Sequence, residues 1–414
     1  MDAGFEELTA VDPPHPGPLA GVRIIDLCRL LPGGFATALL GDLGAEVVKV
    51  EEPGRGDYMR WQEPRIGRRS AHSWITDRNK RSVALNLKHP AGVKALYALI
   101  DTADALIESF RPGVMDRLGV GYEAVHDHRP SLVYCSLTGY GQTGPLARVA
   151  GHDVNYIGRA GVLSITGTKE RPTIPGVQIG DVAGGAMMSV AGLLAALLRA
   201  RETGEGDHVD ISMTDAAFAL LSIHLGDHFA DGRVPGREDF TLNGAYPCYN
   251  VYECRDGRWL TVGAIEEKFW LSLCDGVGRP DLASSRFDPG GVAVWRELFR
   301  QRDRDDWLAR LDAETCTGPV NDFAAAVVDP QLSSRAMVLE QDDPDAGRHR
   351  QLGLPIKLSE HPARISGLPP GLGADTRAYL EDAGLAGEEV DGLIADGVAA
   401  EYDGASRSAE ASPG

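Results

Sequence analysis

Two short runs rich in β-branched side chains, Val-Arg-Ile-Ile-Asp-Leu at 22–27 and Ala-Glu-Val-Val-Lys-Val-Glu at 45–51, bracket a stretch with helical spacing, Phe-Ala-Thr-Ala-Leu-Leu-Gly-Asp-Leu-Gly at 35–44. This order, more than anything else in the chain, restricts the fold. A helix between two strands carries the second back alongside the first in the same direction, whereas a tight turn gives an antiparallel pair. Further strand-like apolar runs follow at 82–87, 103–108, 132–137 and 207–213, with helical stretches between them. Strands alternating with helices make a parallel sheet covered on both faces. The expected class is α/β, with a large domain built on a Rossmann-like parallel sheet. Pro-Gly-Gly at 32–34 reads as a breaker ahead of the first helix.

The pattern changes beyond residue 228. Residues 244–263 read as a hairpin, with Arg-Asp-Gly-Arg as its turn, and acid- and Arg-rich helical stretches continue to about 345. The tail from about 354 is Pro-rich, with one more amphipathic helix at 374–383. The expected layout is a disordered leader at 1–18, a large α/β domain at 19–228, a small α+β domain at 229–345, a segment at 346–402 that returns to the large domain, and a disordered tail at 403–414.

Charge narrows the partners. With 60 acidic and 41 basic side chains the net charge is −19, which argues against nucleic acid or an anionic membrane surface. An anionic ligand then needs a local cluster of cations. The first twenty residues carry acids and prolines, unlike a secretory signal. The apolar stretch 182–198 contains three glycines and a serine, and reads as a buried helix rather than a membrane span. Six scattered cysteines without a Cys-x-x-Cys pair read as reduced core thiols, so the expected compartment is the cytoplasm and no metal site is expected.

The turn Leu-Leu-Pro-Gly-Gly-Phe lacks Gly-x-Gly-x-x-Gly, so the first strand–helix unit is not expected to bind a dinucleotide. Lys88, Arg111 and Arg117 follow strand runs, where ligands of open α/β sheets bind; they are either phosphate-holding cations or solvated surface charges. Asp181 directly precedes the apolar stretch and is either an N-cap or a carboxylate whose proton affinity is tuned by a helix end and an apolar wall. His152, flanked by Gly and Asp in a polar loop, is an acid/base candidate. Glu266 ends the hairpin strand and is either a helix N-terminal acid or a third member of that site. Only the fold can bring these three together.

As an ordered set, LAGVRIIDL, LLGDLGAEVVKVEEPGRGD, NKRSVALNLK, ESFRPGVMDRLG, YGQTGP, AGHDVNYIG, IGDVAGG and ETGEGDHVDISM resemble the family III CoA-transferase superfamily from about residue 19 to 380. AGHDVNYI, GAYPCYNVYECRDGRWLTVGAIE and the ETCTGPV segment around Cys316 are most similar to its α-methylacyl-CoA racemase branch. The resemblance implies the interlocked-dimer fold of that family, an acyl-CoA thioester as substrate, a homodimer, and no cofactor beyond the CoA moiety of the substrate. It implies that His152, paired with Glu266, is one acid/base and Asp181 the other, in epimerisation of 2-methylacyl-CoA thioesters. In the transferase pattern the aspartate at the position of Asp181 is instead the nucleophile that carries the acyl group. Transferases generally lack both the His and the Glu. CoA would lie near Arg29, Leu85, Lys88, Arg111, Arg117 and Tyr156, with Gly184, Gly185, Met187 and Met188 as an apolar acyl wall. Two departures stand out: Glu52 occupies a position that is often basic, where Arg55 or Arg60 would have to substitute, and residues 54–78 are long in the manner of a transferase.

Overall fold

The computed structural model describes residues 17–402. The expected disorder of the leader and tail falls, apart from residues 17 and 18, outside them. The chain forms two compact units. The first takes its residues from Met1–Ala160, Val177–Leu220 and Pro330–Gly414, the second from Gly161–Gly176 and Leu221–Asp329.

In the first unit β1 (Arg23–Asp26), α1 (Leu30–Asp42) and β2 (Glu46–Glu51) form the strand–helix–strand unit read from the sequence. The other parallel strands are β3 (Lys80–Leu85), β4 (Ala105–Glu108), β5 (Val133–Thr138) and β6 (His208–Ser212), with α2 (Pro90–Asp101) between β3 and β4. The sheet runs β3–β2–β1–β4–β5–β6, and Ala399–Ala400 adds a short antiparallel edge beside β3. The core separates by residue parity. Ile25, Val48, Val83 and Leu106 face α2, while Ile24, Val47, Ile107 and Val133 face α1. Burial on both faces is why these strands read as continuous apolar runs rather than alternating ones.

Two expectations need correction. Pro-Gly-Gly lies inside α1 rather than before it. Pro32 falls in the first turn, where its missing N–H leaves no bond unmade, and Gly33 is required by contact: a Cβ there would sit 2.3 Å from the Cβ of Cys28. The apolar stretch 182–198 is also not one buried α-helix. It begins in a π-helical segment, Ile179–Ala186, and continues as α4, Met187–Thr203, counting the helix Asp153–Ala160 as α3. Its inner face packs on the sheet through Val190, Leu193 and Leu197, but Met187, Met188 and Leu198 stand exposed. By length and composition Ile179–Thr203 would also suffice to cross a membrane.

The strands β1, β2 and β3 carry charges inside the core. Lys49 of β2 reaches Asp57 at 2.7 Å and Asp77 at 3.3 Å, and all three side chains are almost fully buried. Lys80 of β3 bonds Asp26 of β1 at 2.9 Å and the Thr37 hydroxyl at 2.6 Å. Burial works to raise Asp26 and Asp57, yet the lysine charges hold both below the ordinary carboxylate range.

The second unit contains the expected hairpin, Tyr249–Glu253 and Trp259–Gly263, joined by a third antiparallel strand, Thr317–Pro319. Gly257 at φ +73° makes the turn. Its core is aromatic: Tyr252, Trp270, Trp295, Phe299 and Trp307. All six cysteines are unpaired.

The buried charges give a first prediction. Lys49→Met leaves Asp57 without its lysine and Asp77 with Lys80 alone, at 3.9 Å, and lowers unfolding free energy by about 3–5 kcal/mol. Urea denaturation reads this, and a loss under about 1 kcal/mol would show that the network is not a stability element.

Candidate active site

The sheet topology locates the crevice. From β1 the chain builds outward through β2 to β3, then returns to place β4 on the other side of β1. Ligands of open parallel sheets bind beyond the carboxyl ends of the strands at such a reversal. Arg29 follows β1 there, and Ser109–Phe110–Arg111 follow β4. The two turns are tied together: the Arg29 N–H donates to the Ser109 Oγ at 3.0 Å, and the Arg29 guanidinium lies 5.1 Å over the Phe110 ring. Leu30 has φ +65°, a strained value for a residue with a side chain. Its N–H is held by the buried Asp57 carboxylate at 3.1 and 3.3 Å.

Lys88, after β3, bonds Glu52 at 2.9 Å, while Arg111 and Arg117 are exposed on the β4 side of the same edge. Leu85 ends β3 with its side chain in the core and its backbone paired to the Ala399–Ala400 strand. Of the two substitutes considered for a cation at position 52, Arg60 is committed elsewhere. It grips Glu51 at 2.7 and 2.6 Å and donates to the Pro370 carbonyl. Arg55 remains exposed, over the Trp61 ring.

Asp153, next to His152 in the chain, ties that loop to Asp181. The Asn155 Oδ1 accepts the His152 N–H at 3.0 Å, so His152 opens α3 with its imidazole exposed. The neighbouring Asp153 Oδ1 accepts the Asp181 N–H at 2.9 Å. Asp181 lies in the first turn of the π-helical segment, a form that recurs at functional sites. The N-cap reading of Asp181 fails: its carboxylate caps nothing and takes no hydrogen bond from the described residues. Burial, then the Asp153 charge, push its pKa up to about 6 against the pull of His152. Tyr156 packs beside this group. Its hydroxyl donates to the Gly151 carbonyl at 2.5 Å, and burial together with the Asp181 charge raises it to about 12. Tyr156 thus lies beside Asp181 and also feels the Arg111 charge.

The acyl wall is divided. Gly184 and Gly185 are buried against Ala216, Met213 and Leu137, whereas Met187 and Met188 lie on the exposed face. Glu266 belongs to the second unit, exposed just before the helix Glu267–Gly276, with no side-chain capping bond. Its charge, after burial, helps to raise the Cys316 thiol.

Sequence reasoning missed two acids. Asp153 stood beside the more conspicuous His152. Glu108 ends β4 under a cavity of about 190 Å³ lined in part by Arg111, Tyr122, Ser136 and His208. It accepts the Phe110 N–H at 2.7 Å, and burial pushes it to about 7. The only signal was an acid closing an apolar strand three residues before Arg-Pro-Gly.

Residues 19–376 match the family described as CoA-transferase family III. The chain belongs to this family. It is 33% identical to human succinyl-CoA:glutarate CoA-transferase, over 88% of this chain and 86% of that one. It is 31% identical to human alpha-methylacyl-CoA racemase, over 91% and 96%. The crystal structure of a CAIB/BAIF family protein from Brucella suis superposes with a TM-score of 0.78 at 28% identity, covering 89% of this chain and all of that one. The chain is thus an enzyme of CoA-transferase family III with the expected α/β fold. The expected restriction to the racemase branch does not follow, because the stronger matches among these relatives are CoA-transferases and the racemase is a weaker one.

Within this family member Asp153 raises Asp181 by charge while holding it by a hydrogen bond. Asp153→Asn keeps an acceptor and removes the charge, so the Asp181 pKa falls. The acid limb of the turnover–pH profile, near 6 in the parent, shifts to lower pH. An unmoved or higher limb would contradict the coupling.

Proposed function

We propose that the enzyme epimerises 2-methylacyl-CoA thioesters by moving the α-proton between two bases. The observation that carries this reading is the tether between them: Asp153, adjoining His152, accepts the backbone N–H of Asp181, whose carboxylate takes no hydrogen bond from the described residues. The proton α to a thioester carbonyl is weakly acidic. One group removes it to give an enolate and the conjugate acid of the other returns a proton to the opposite face. A carboxyl near 6 has both protonation states accessible around neutrality, which suits either direction.

CoA lies along the carboxyl edge in this reading, its phosphates near Arg29, Lys88, Arg111 and Arg117 and its thioester end near Tyr156; no other cofactor is needed. The reading includes a homodimer in which the second unit of one copy supplies Glu266 to the imidazole of the other, favouring its protonated form. Helix Ser222–Asp231 supports a second copy: it buries none of its side chains, and Ile223 and Phe229 stand exposed. Such apolar exposure marks association surfaces.

The second reading is CoA transfer, favoured by the similarity to the glutarate transferase. Here Asp181 attacks the thioester, forming a mixed anhydride and releasing the CoA thiolate; the thiolate attacks the aspartyl carbonyl and expels the first acid as its carboxylate, leaving an aspartyl-CoA thioester that the acceptor carboxylate opens in the same two steps, which frees Asp181. NMR in D2O with a 2-methylacyl-CoA and no acceptor acid separates the two. Epimerisation places deuterium at the α-carbon. Absence of α-deuterium together with a hydroxylamine-trappable adduct on Asp181 would overturn it in favour of transfer.

A further inference from the structure

Three adjacent strands each deliver a cation to the carboxyl edge: Arg29 after β1, Arg55 after β2 and Lys88 after β3. One carboxylate, Glu52, stands among them. It bonds Lys88 at 2.9 Å, and that bond, with the charges of Lys88, Arg29 and Arg55, holds Glu52 below the ordinary carboxylate range. Among the described residues neither guanidinium pairs with an acid by a hydrogen bond or ion pair; Arg29 lies over Phe110 and Arg55 over Trp61, which leaves their charges available to an anion. In a chain of net charge −19, three cations around one acid on the ligand-binding edge make a local positive island.

We propose that Glu52 is a built-in stand-in for a phosphate: it occupies the anion site formed by Lys88, Arg29 and Arg55, and a phosphate group of the CoA-type ligand must displace it to bind there. Glu52 is thereby a specificity-determining residue that weakens recognition of the phosphorylated nucleotide relative to the same ligand without that phosphate. The proposal rests on the reading that CoA lies along this edge. The displacement is feasible because the Lys88 side chain is 76% exposed and that of Glu52 37%, so the pair opens without unpacking the core. An exposed pair of this kind is worth little to the fold, and its replacement does not threaten folding.

Calorimetric titration of the full-length protein with CoA, 3′-dephospho-CoA and pantetheine tests it, with Glu52→Gln and, as a control for net charge, Glu205→Gln in the loop that precedes β6. Glu52→Gln tightens CoA binding by about fivefold, the scale of an exposed charge interaction, leaves pantetheine unchanged, and Glu205→Gln changes none of the three. A gain confined to CoA assigns the 3′-phosphate to the site; an equal gain for CoA and dephospho-CoA assigns the diphosphate; both support the proposal. Equal effects on pantetheine and CoA, no effect of Glu52→Gln, or the same gain from Glu205→Gln would overturn it. If parent and variants bind none of the three ligands, it is the CoA reading that fails, and the stand-in role falls with it.

Discussion

Lys49 and Lys80, buried in neighbouring parallel strands, are the constraint on which the first unit depends. Each lies where an apolar residue would ordinarily be, and each is tolerated only because carboxylates from other elements meet it: Asp57 and Asp77 for one, Asp26 for the other. An uncompensated charge there would cost several kcal/mol. The network therefore fixes more than the sheet. Asp57 also holds Leu30 in a left-handed conformation at the start of α1. The turn that presents Arg29 to the crevice thus hangs from the same carboxylate that pairs with Lys49 of β2.

A second tether does the same for the proposed acid/base pair. His152 and Asp181 lie on different elements, and no direct bond joins them. Asp153 links the two by accepting the Asp181 N–H, and in doing so places a negative charge close enough to raise Asp181. Position and proton affinity come from one side chain. That economy explains why the Asp181 carboxylate remains open to a ligand: its backbone, not its side chain, is what the fold uses to hold it.

Much of this was legible in the sequence, and what was not has physical causes. β1, β2, β4 and β5 fall within about two residues of their expected positions, because strands buried on both faces must be apolar throughout. Pro-Gly-Gly misled because a breaker by propensity is acceptable in a first helical turn, and because the close approach of Gly33 to Cys28 is a tertiary fact. Asp181 stood out in the sequence, but of its two readings the N-cap is not realised, and what holds its backbone, Asp153, lies 28 residues away. Arg60 looked as available as Arg55 until its grip on Glu51 appeared. Charge pairing across distant segments leaves no local pattern to read.

The account stands or falls on whether His152 and Asp181 serve opposite faces of one carbon. The direct test follows α-hydrogen wash-out from each pure enantiomer of a 2-methylacyl-CoA in D2O, using His152→Ala and Asp181→Ala separately. Two bases predict a split: each variant still exchanges the α-hydrogen of one hand, a different hand in each, while inversion is lost in both. Loss of exchange from both hands in either single variant, or unimpaired inversion in either, would contradict it.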